Sequence, residues 1–295
     1  MVGRDFLKGY LDLHVHAGPS NIPRELDAAE MALAADEAGY KAIVIKDHQY
    51  CTAPLAHVLE KHLPLKSGLR IFGGMAVNNS IGGLNAKAVE VAIALGAKII
   101  WMPTVSSLNH IEKHKGHGFK FPEGKKLNIP ENPIVTIDEN GKLLPEADAI
   151  IQVIAQHPGV ILATGHGTRE EVNAYIVRAH ELGIKRILVN HPTYMIGSTL
   201  EDMKYWASLG AFMELSGCVS VPSSNYYCLD VNGIVESIRA IGVEHTTIGS
   251  DYGQAKNGSP LDGAAEFFEL LLQNGVTEQE LVQMTQINPN YLLDL

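Results

Sequence analysis

The 295-residue chain has only three cysteines, Cys51, Cys218 and Cys228, and no CxxC pair. That excludes a disulfide framework and a structural zinc knuckle and leaves three ordinary reduced thiols. Long apolar runs are missing as well. No stretch approaches the roughly 18 residues that would span a bilayer, and MVGRDFLKGYLDL lacks an apolar core of signal-peptide length. The expectation is a cytoplasmic protein that engages no membrane. Basic charge is also in short supply: 23 Lys and Arg stand against 33 Asp and Glu, a formal charge of −10. Such a chain repels a phosphate backbone, so nucleic acid is not expected as a partner. A small-molecule substrate fits better, and a homo-oligomer is compatible with it. No Ser/Gly-, Gln- or Pro-rich linker interrupts the chain, which reads as one domain over 1–295.

What the chain does have is a repeating unit. An amphipathic stretch runs to a glycine that would stop a helix, and a β-branched run follows. Gly39 precedes YKAIVI, Gly68 LRIFGG, Gly96 AKIIWM, Gly159 VILAT, Gly183 IKRILV, Gly210 AFMEL and Gly242 VEHTTIGS. With YLDLHV at the start, eight strands are predicted. Helices are predicted over 24–38, 84–95, 146–156, 169–182, 199–209, 231–241 and 261–273. Strands alternating with helices imply parallel pairing, and eight such units in about 250 residues suit a closed (β/α)8 TIM barrel. One interval is too long: residues about 105–145 form an insertion after strand 4, in which Asn140-Gly141 predicts a hairpin turn.

The chemistry-bearing residues sit where those strands end. In YLDLHVHAGPS, alternation predicts that His14 and His16 share a face with Asp12 while Leu11, Leu13 and Val15 share the other. Strand five ends in ATGHGT with His166, strand six in VNHPTY with His191, and strand eight in IGSDYG with Asp251. All lie at the carboxyl ends, the face on which barrel enzymes carry their sites. Four histidines and an aspartate on one rim are a metal-binding set. Zinc is the first expectation for the divalent ion, one or two per chain, with manganese, iron and nickel also suited to these ligands. Strand two ends in KAIVIKDHQY, with Lys46 and His48 on a common face. His48, Asn78, Arg169 and Tyr194 are candidates for holding substrate. In the insertion, 110–126 carries five lysines and two glutamates, together with His110, His114 and His117, which read as surface histidines on a solvated loop.

HxH on the first strand, single histidines after the fifth and sixth, an aspartate after the eighth and the closing INPNYLLDL together resemble the amidohydrolase superfamily of metal-dependent barrel hydrolases. The resemblance spans nearly the whole chain. It implies that His14, His16 and Asp251 bind the more buried metal, and that His166 and His191 bind a second metal or the substrate. It also implies that Asp251 takes the proton from activated water, as catalytic residue, in attack on an amide, lactone or related carbonyl. The pattern breaks after strand four, where KIIWMPTVSS has no carboxylate or lysine to bridge two metals. A carboxylated Lys46 is the substitute; a substrate-binding ammonium and a structural ion pair are its alternatives. The KDH fragment is similar to the TDH element of PHP phosphoesterases, whose further acidic ligand has no counterpart in MAVNNSIGG. A single-metal decarboxylase and a non-catalytic ligand-binding barrel complete the alternatives.

Overall fold

The structure, a computed structural model, describes residues 2–115 and 121–295. Strand β1 (Leu11–His16) carries the HVH element and leads to helix α1 (Ala28–Glu37). An Asp27–Glu30 capping box starts α1 four residues later than the amphipathic pattern suggests, because it satisfies the first free N–H groups there. Strand β2 (Ala42–Lys46), α2 (Ala53–His62), β3 (Arg70–Ala76), α3 (Ala86–Ala94) and β4 (Ile99–Trp101) follow. Helices α4 (Leu108–Lys115) and α5 (Pro145–Ala155) both precede β5 (Ile161–Ala163). Then come α6 (Arg169–Glu181), β6 (Ile187–Asn190), α7 (Leu200–Ser208) and β7 (Ala211–Ser216). The chain closes with α8 (Val231–Ile241), β8 (Thr246–Gly249), α9 (Pro260–Gln273), α10 (Glu278–Val282) and α11 (Asn288–Leu293). Among the described residues no helix is long and apolar enough to cross a membrane.

Each strand pairs in parallel with the next, in chain order from β1 to β8. The last strand meets the first through the Asp251 N–H on the His14 carbonyl (2.8 Å) and the His16 N–H on the Tyr252 carbonyl (2.8 Å). The result is the expected (β/α)8 barrel, nearly closed, with its seam at the HVH element. Strands apolar in both phases explain the two layers of core. Leu11, Leu13, Ala42, Val44 and Leu188 fill the interior with Leu292 and Leu293 of α11. Val15, Ile43, Ile45, Leu215 and Ile248 pack outward with residues of α1 and α9. Each fully buried aliphatic side chain contributes roughly 1.5–3 kcal/mol.

Three expectations change. Helix α2, whose first turn contains Pro54, was not legible as a helix. The 105–145 insertion is not all loop, since α4 occupies its first part. Its hairpin is reduced to a single Ile137–Leu143 bridge around a turn with Gly141 at φ 77°.

Candidate metal centre

The HVH element does not follow simple alternation. The β1–β2 register shifts between Asp12 and Val15, a bulge that puts one extra residue on β1. Leu13 therefore joins the interior with Leu11, and the next residue, His14, also turns inward to meet β7 and β8 side chains. Asp12 is corrected accordingly. It leaves the histidine face, and its Oδ1 accepts the N–H groups of His14 (3.0 Å) and Ser250 (3.1 Å), pinning the seam. Burial pushes its carboxyl up to about 6.

Past the bulge, His16 lies opposite Lys46 on β2, and the seam hydrogen bonds bring Asp251 against both histidines. Asp251 Oδ1 is 3.2 Å from His14 Nε2 and 3.2 Å from His16 Nε2. His191 Nδ1 lies 4.0 Å from Asp251 Oδ2. The ligand atoms of His14, His191 and Asp251 all fall within 4.8 Å of one another. Donors bound tetrahedrally at about 2.05 Å are separated by roughly 3.3 Å, so the 3.2 Å spacings fit a divalent ion with little movement.

Two backbone features hold this geometry. His191 (φ 53°) and Asp251 (φ 54°) both adopt the left-handed conformation, which costs a non-glycine residue roughly 1–3 kcal/mol and gathers at functional sites. Gly253 must be glycine, since a Cβ there would lie 1.7 Å from the His16 carbonyl oxygen. After His191 the chain makes one π turn, Pro192–Ile196, which brings Tyr194 back so that its hydroxyl donates to Asp251 Oδ2 (3.3 Å).

The imidazoles are oriented through their other nitrogens. His16 Nδ1–H donates to the Lys46 carbonyl (3.0 Å), leaving Nε2 bare toward Asp251. His14 Nδ1 meets the Glu214 carboxylate at 2.8 Å and His48 Nδ1 the Thr104 hydroxyl at 2.8 Å; His191 differs, since the Nδ1 that faces Asp251 is also the atom that meets the Ser216 hydroxyl at 2.9 Å. Burial pushes His16, His48, His166 and His191 well below the usual imidazole range, which keeps them neutral as ligands must be. Burial works to raise the Asp251 carboxyl, but His14, His191 and Lys46 outweigh it and hold it below its usual value. Lys46 is fully buried; its Nζ lies 3.0 Å from His14 Nε2 and 5.3 Å from the Trp101 ring centre. Burial pushes its ammonium down to about 8.

A cavity of about 180 Å³ opens over these groups and is bordered by His16, Lys46, His48, His166, His191 and Asp251. His14 lies beneath them. Tyr194 lines the cavity too. Asn78 does not: it is fully buried, with Nδ2 donating to the His48 carbonyl (2.8 Å) and Thr104 Oγ1 (2.6 Å), so it braces His48 rather than facing substrate. Arg169 is also outside the cavity. Thr168 caps α6, which turns Arg169 out to solvent, where it pairs with Asp202 at 2.8 Å.

Two members of the site escaped the sequence. Glu214, fully buried on β7, is the carboxylate behind His14; its signal was a lone acid inside the apolar run AFMELS. His110 is not a surface histidine: α4 buries it against His166, with their Nδ1 atoms 2.8 Å apart, and among the described residues His166 Nε2 has no hydrogen-bond partner. His114 packs at a tilt against Phe121 in the same wall, and His117 lies outside the described residues.

A family model described as "Family of unknown function (DUF6282)" matches residues 9–214. No curated protein matches the chain. Among solved structures, an amidohydrolase from Pseudomonas aeruginosa superposes with a TM-score of 0.64 at 11% identity, covering 99% of this chain and 98% of the other. An organophosphorus hydrolase from Deinococcus radiodurans gives 0.62 at 12% identity, with 97% and 93% covered. A 2,6-dihydroxybenzoate decarboxylase from Rhizobium gives 0.57 at 12% identity, with 97% and 99% covered. At such identities the likeness is one of fold, an eight-stranded (β/α)8 barrel.

Proposed function

The chain belongs to DUF6282, a family of unknown function, and from its site we propose that it is a metal-dependent hydrolase acting on an amide, lactone or related carbonyl of a small anionic molecule. One observation carries the reading: a carboxylate, Asp251, stands 3.2 Å from two buried imidazole nitrogens at the mouth of the barrel. A divalent ion bound there, zinc first, would supply Lewis acidity that lowers the pKa of bound water to about 7 and polarises a carbonyl.

His14, His16 and Asp251 would hold the ion, with His191 completing the set. Asp251 Oδ2 is the atom that takes the proton from water, and the Tyr194 hydroxyl keeps that carboxylate turned toward the cavity. Glu214 fixes the tautomer of His14. His166, whose Nε2 has no partner among the described residues, is left to hold the substrate oxygen or a second ion. Lys46 belongs to the proposal as the bridging ligand: its Nζ is close enough to His14 Nε2 that a carbamate formed on it would reach the same centre.

The test is metal content and chelator-sensitive turnover on a panel of amides and lactones. At least one metal per chain with turnover lost to chelator is expected; a folded, metal-free protein indifferent to chelator sinks the reading. The metal count of Lys46→Met, with and without bicarbonate, reads the bridging role, which an unchanged count removes. A second reading, single-metal decarboxylation, is favoured by one observation: among the described residues only one three-ligand group was found. Carbon dioxide release without water addition would establish it instead.

A further inference from the structure

One charged side chain in the cavity wall has no use in the mechanism above. Arg24 lies between β1 and α1, and its backbone is pinned to the loop after β8 by the Glu25 N–H on the Gly253 carbonyl (2.9 Å) and the Ala255 N–H on the Pro23 carbonyl (3.1 Å). Its side chain is 3% exposed, yet Nε and Nη2 have no hydrogen-bond partner among the described residues. Asp47 Oδ2 is 3.9 Å from Nη2, beyond hydrogen-bond reach, and is itself unpartnered. A buried guanidinium with open donors is costly to keep unless something fills them. Nε and Nη2 form the side-on edge of the fork, which a carboxylate can meet with both oxygens at once. That edge belongs to a side chain lining the same cavity as His16, His191 and Asp251.

We propose that Arg24 is the specificity-determining residue of this site and binds a carboxylate of the substrate side-on, while the reacting carbonyl lies at Asp251. The substrate class is a small monocarboxylic acid whose apolar or aromatic body rests on Tyr194, Tyr226 and Phe121. A phosphate dianion suits the place less well, because Asp47 and Asp251 already set negative charge around the guanidinium. The inference rests on the hydrolase reading only for where the reacting carbonyl sits.

Calorimetric titration of the metal-loaded protein with benzoate, benzamide and phenylphosphonate tests it, with metal content read on the same samples. Benzoate is expected to bind about tenfold or more tighter than its neutral amide, as a charge-assisted bidentate pair allows. Arg24→Met should erase that preference with the metal count unchanged, and Arg24→Lys, which keeps the charge and loses the fork, should erase most of it. Should Arg24→Met fail to fold, Arg24→Lys carries the test alone. Equal binding of benzoate and benzamide, no benzoate binding, or a preference that survives both substitutions overturns the proposal; tightest binding of phenylphosphonate replaces the carboxylate with a phosphate. A protein that hydrolyses nothing but shows the Arg24-dependent preference sinks the hydrolase reading alone. Hydrolysis of neutral amides unaffected by Arg24→Met sinks the carboxylate site alone.

Discussion

The two ends of this barrel are built on opposite principles. At the amino-terminal end of the strands, Leu11, Leu13, Ala42 and Leu188 close on Leu292 and Leu293 of α11, which Arg186 ties down through Asp294 at 2.6 Å. The aliphatic side chains of this cluster pack on one another. At the carboxyl end β1, β2 and the turns after β5, β6 and β8 present His14, His16, Lys46, His166, His191 and Asp251, all buried. Buried polar atoms without partners gather there: His166 Nε2, Glu214 Oε1, Asp47 Oδ2 and the Arg24 edge. Each such orphan costs roughly 1–3 kcal/mol. The apolar end supplies stability that the polar end spends on groups held ready for a ligand.

That contrast can be broken from either side. Asp251→Asn should show the largest effect, turnover falling by a factor on the order of 10³ or more as the proton acceptor is lost, with bound metal reduced when assayed by elemental analysis and the fold intact by circular dichroism. Activity within a few-fold of wild type would contradict the role given to Asp251. Leu292→Ala, at the opposite end, should lower unfolding free energy by about 2–5 kcal/mol in denaturant titration through the cavity it leaves, while metal per folded chain stays constant. A loss of metal there would mean that the two ends are not independent. Glu214→Gln should weaken metal affinity by roughly 10–100-fold without changing stoichiometry at saturation, because it keeps the shape behind His14 and removes the charge; competition against a chromogenic chelator reads it. Thr168→Ala, close to His166 in sequence, should cost only about 1 kcal/mol from the lost α6 cap, with metal affinity untouched. A drop in metal affinity would place that cap within the site.

The eight strands, their parallel order and the rim histidines were legible in the sequence because each depends on local signals: a two-residue alternation, a glycine that ends a helix, an imidazole at the end of an apolar run. His14, His16, His166, His191 and Asp251 could be named together for that reason. Where an extra residue enters a strand, local periodicity fails, and Asp12 left the histidine face at the β1 bulge. Which way a side chain turns after a helix cap was equally hidden, so Arg169 went to solvent and Asn78 went beneath His48.

The sequence by itself determined the barrel and the donor set, since hydrophobic period and residue type are carried by neighbours along the chain. Only the tertiary structure decided that Glu214 stands behind His14, that α4 carries His110 onto His166, and that Arg24 lines the same cavity as Asp251. Those pairs are 200, 56 and, for Arg24 and Asp251, more than two hundred residues apart. Contacts at such separations depend on strand register and barrel closure, which no local pattern encodes.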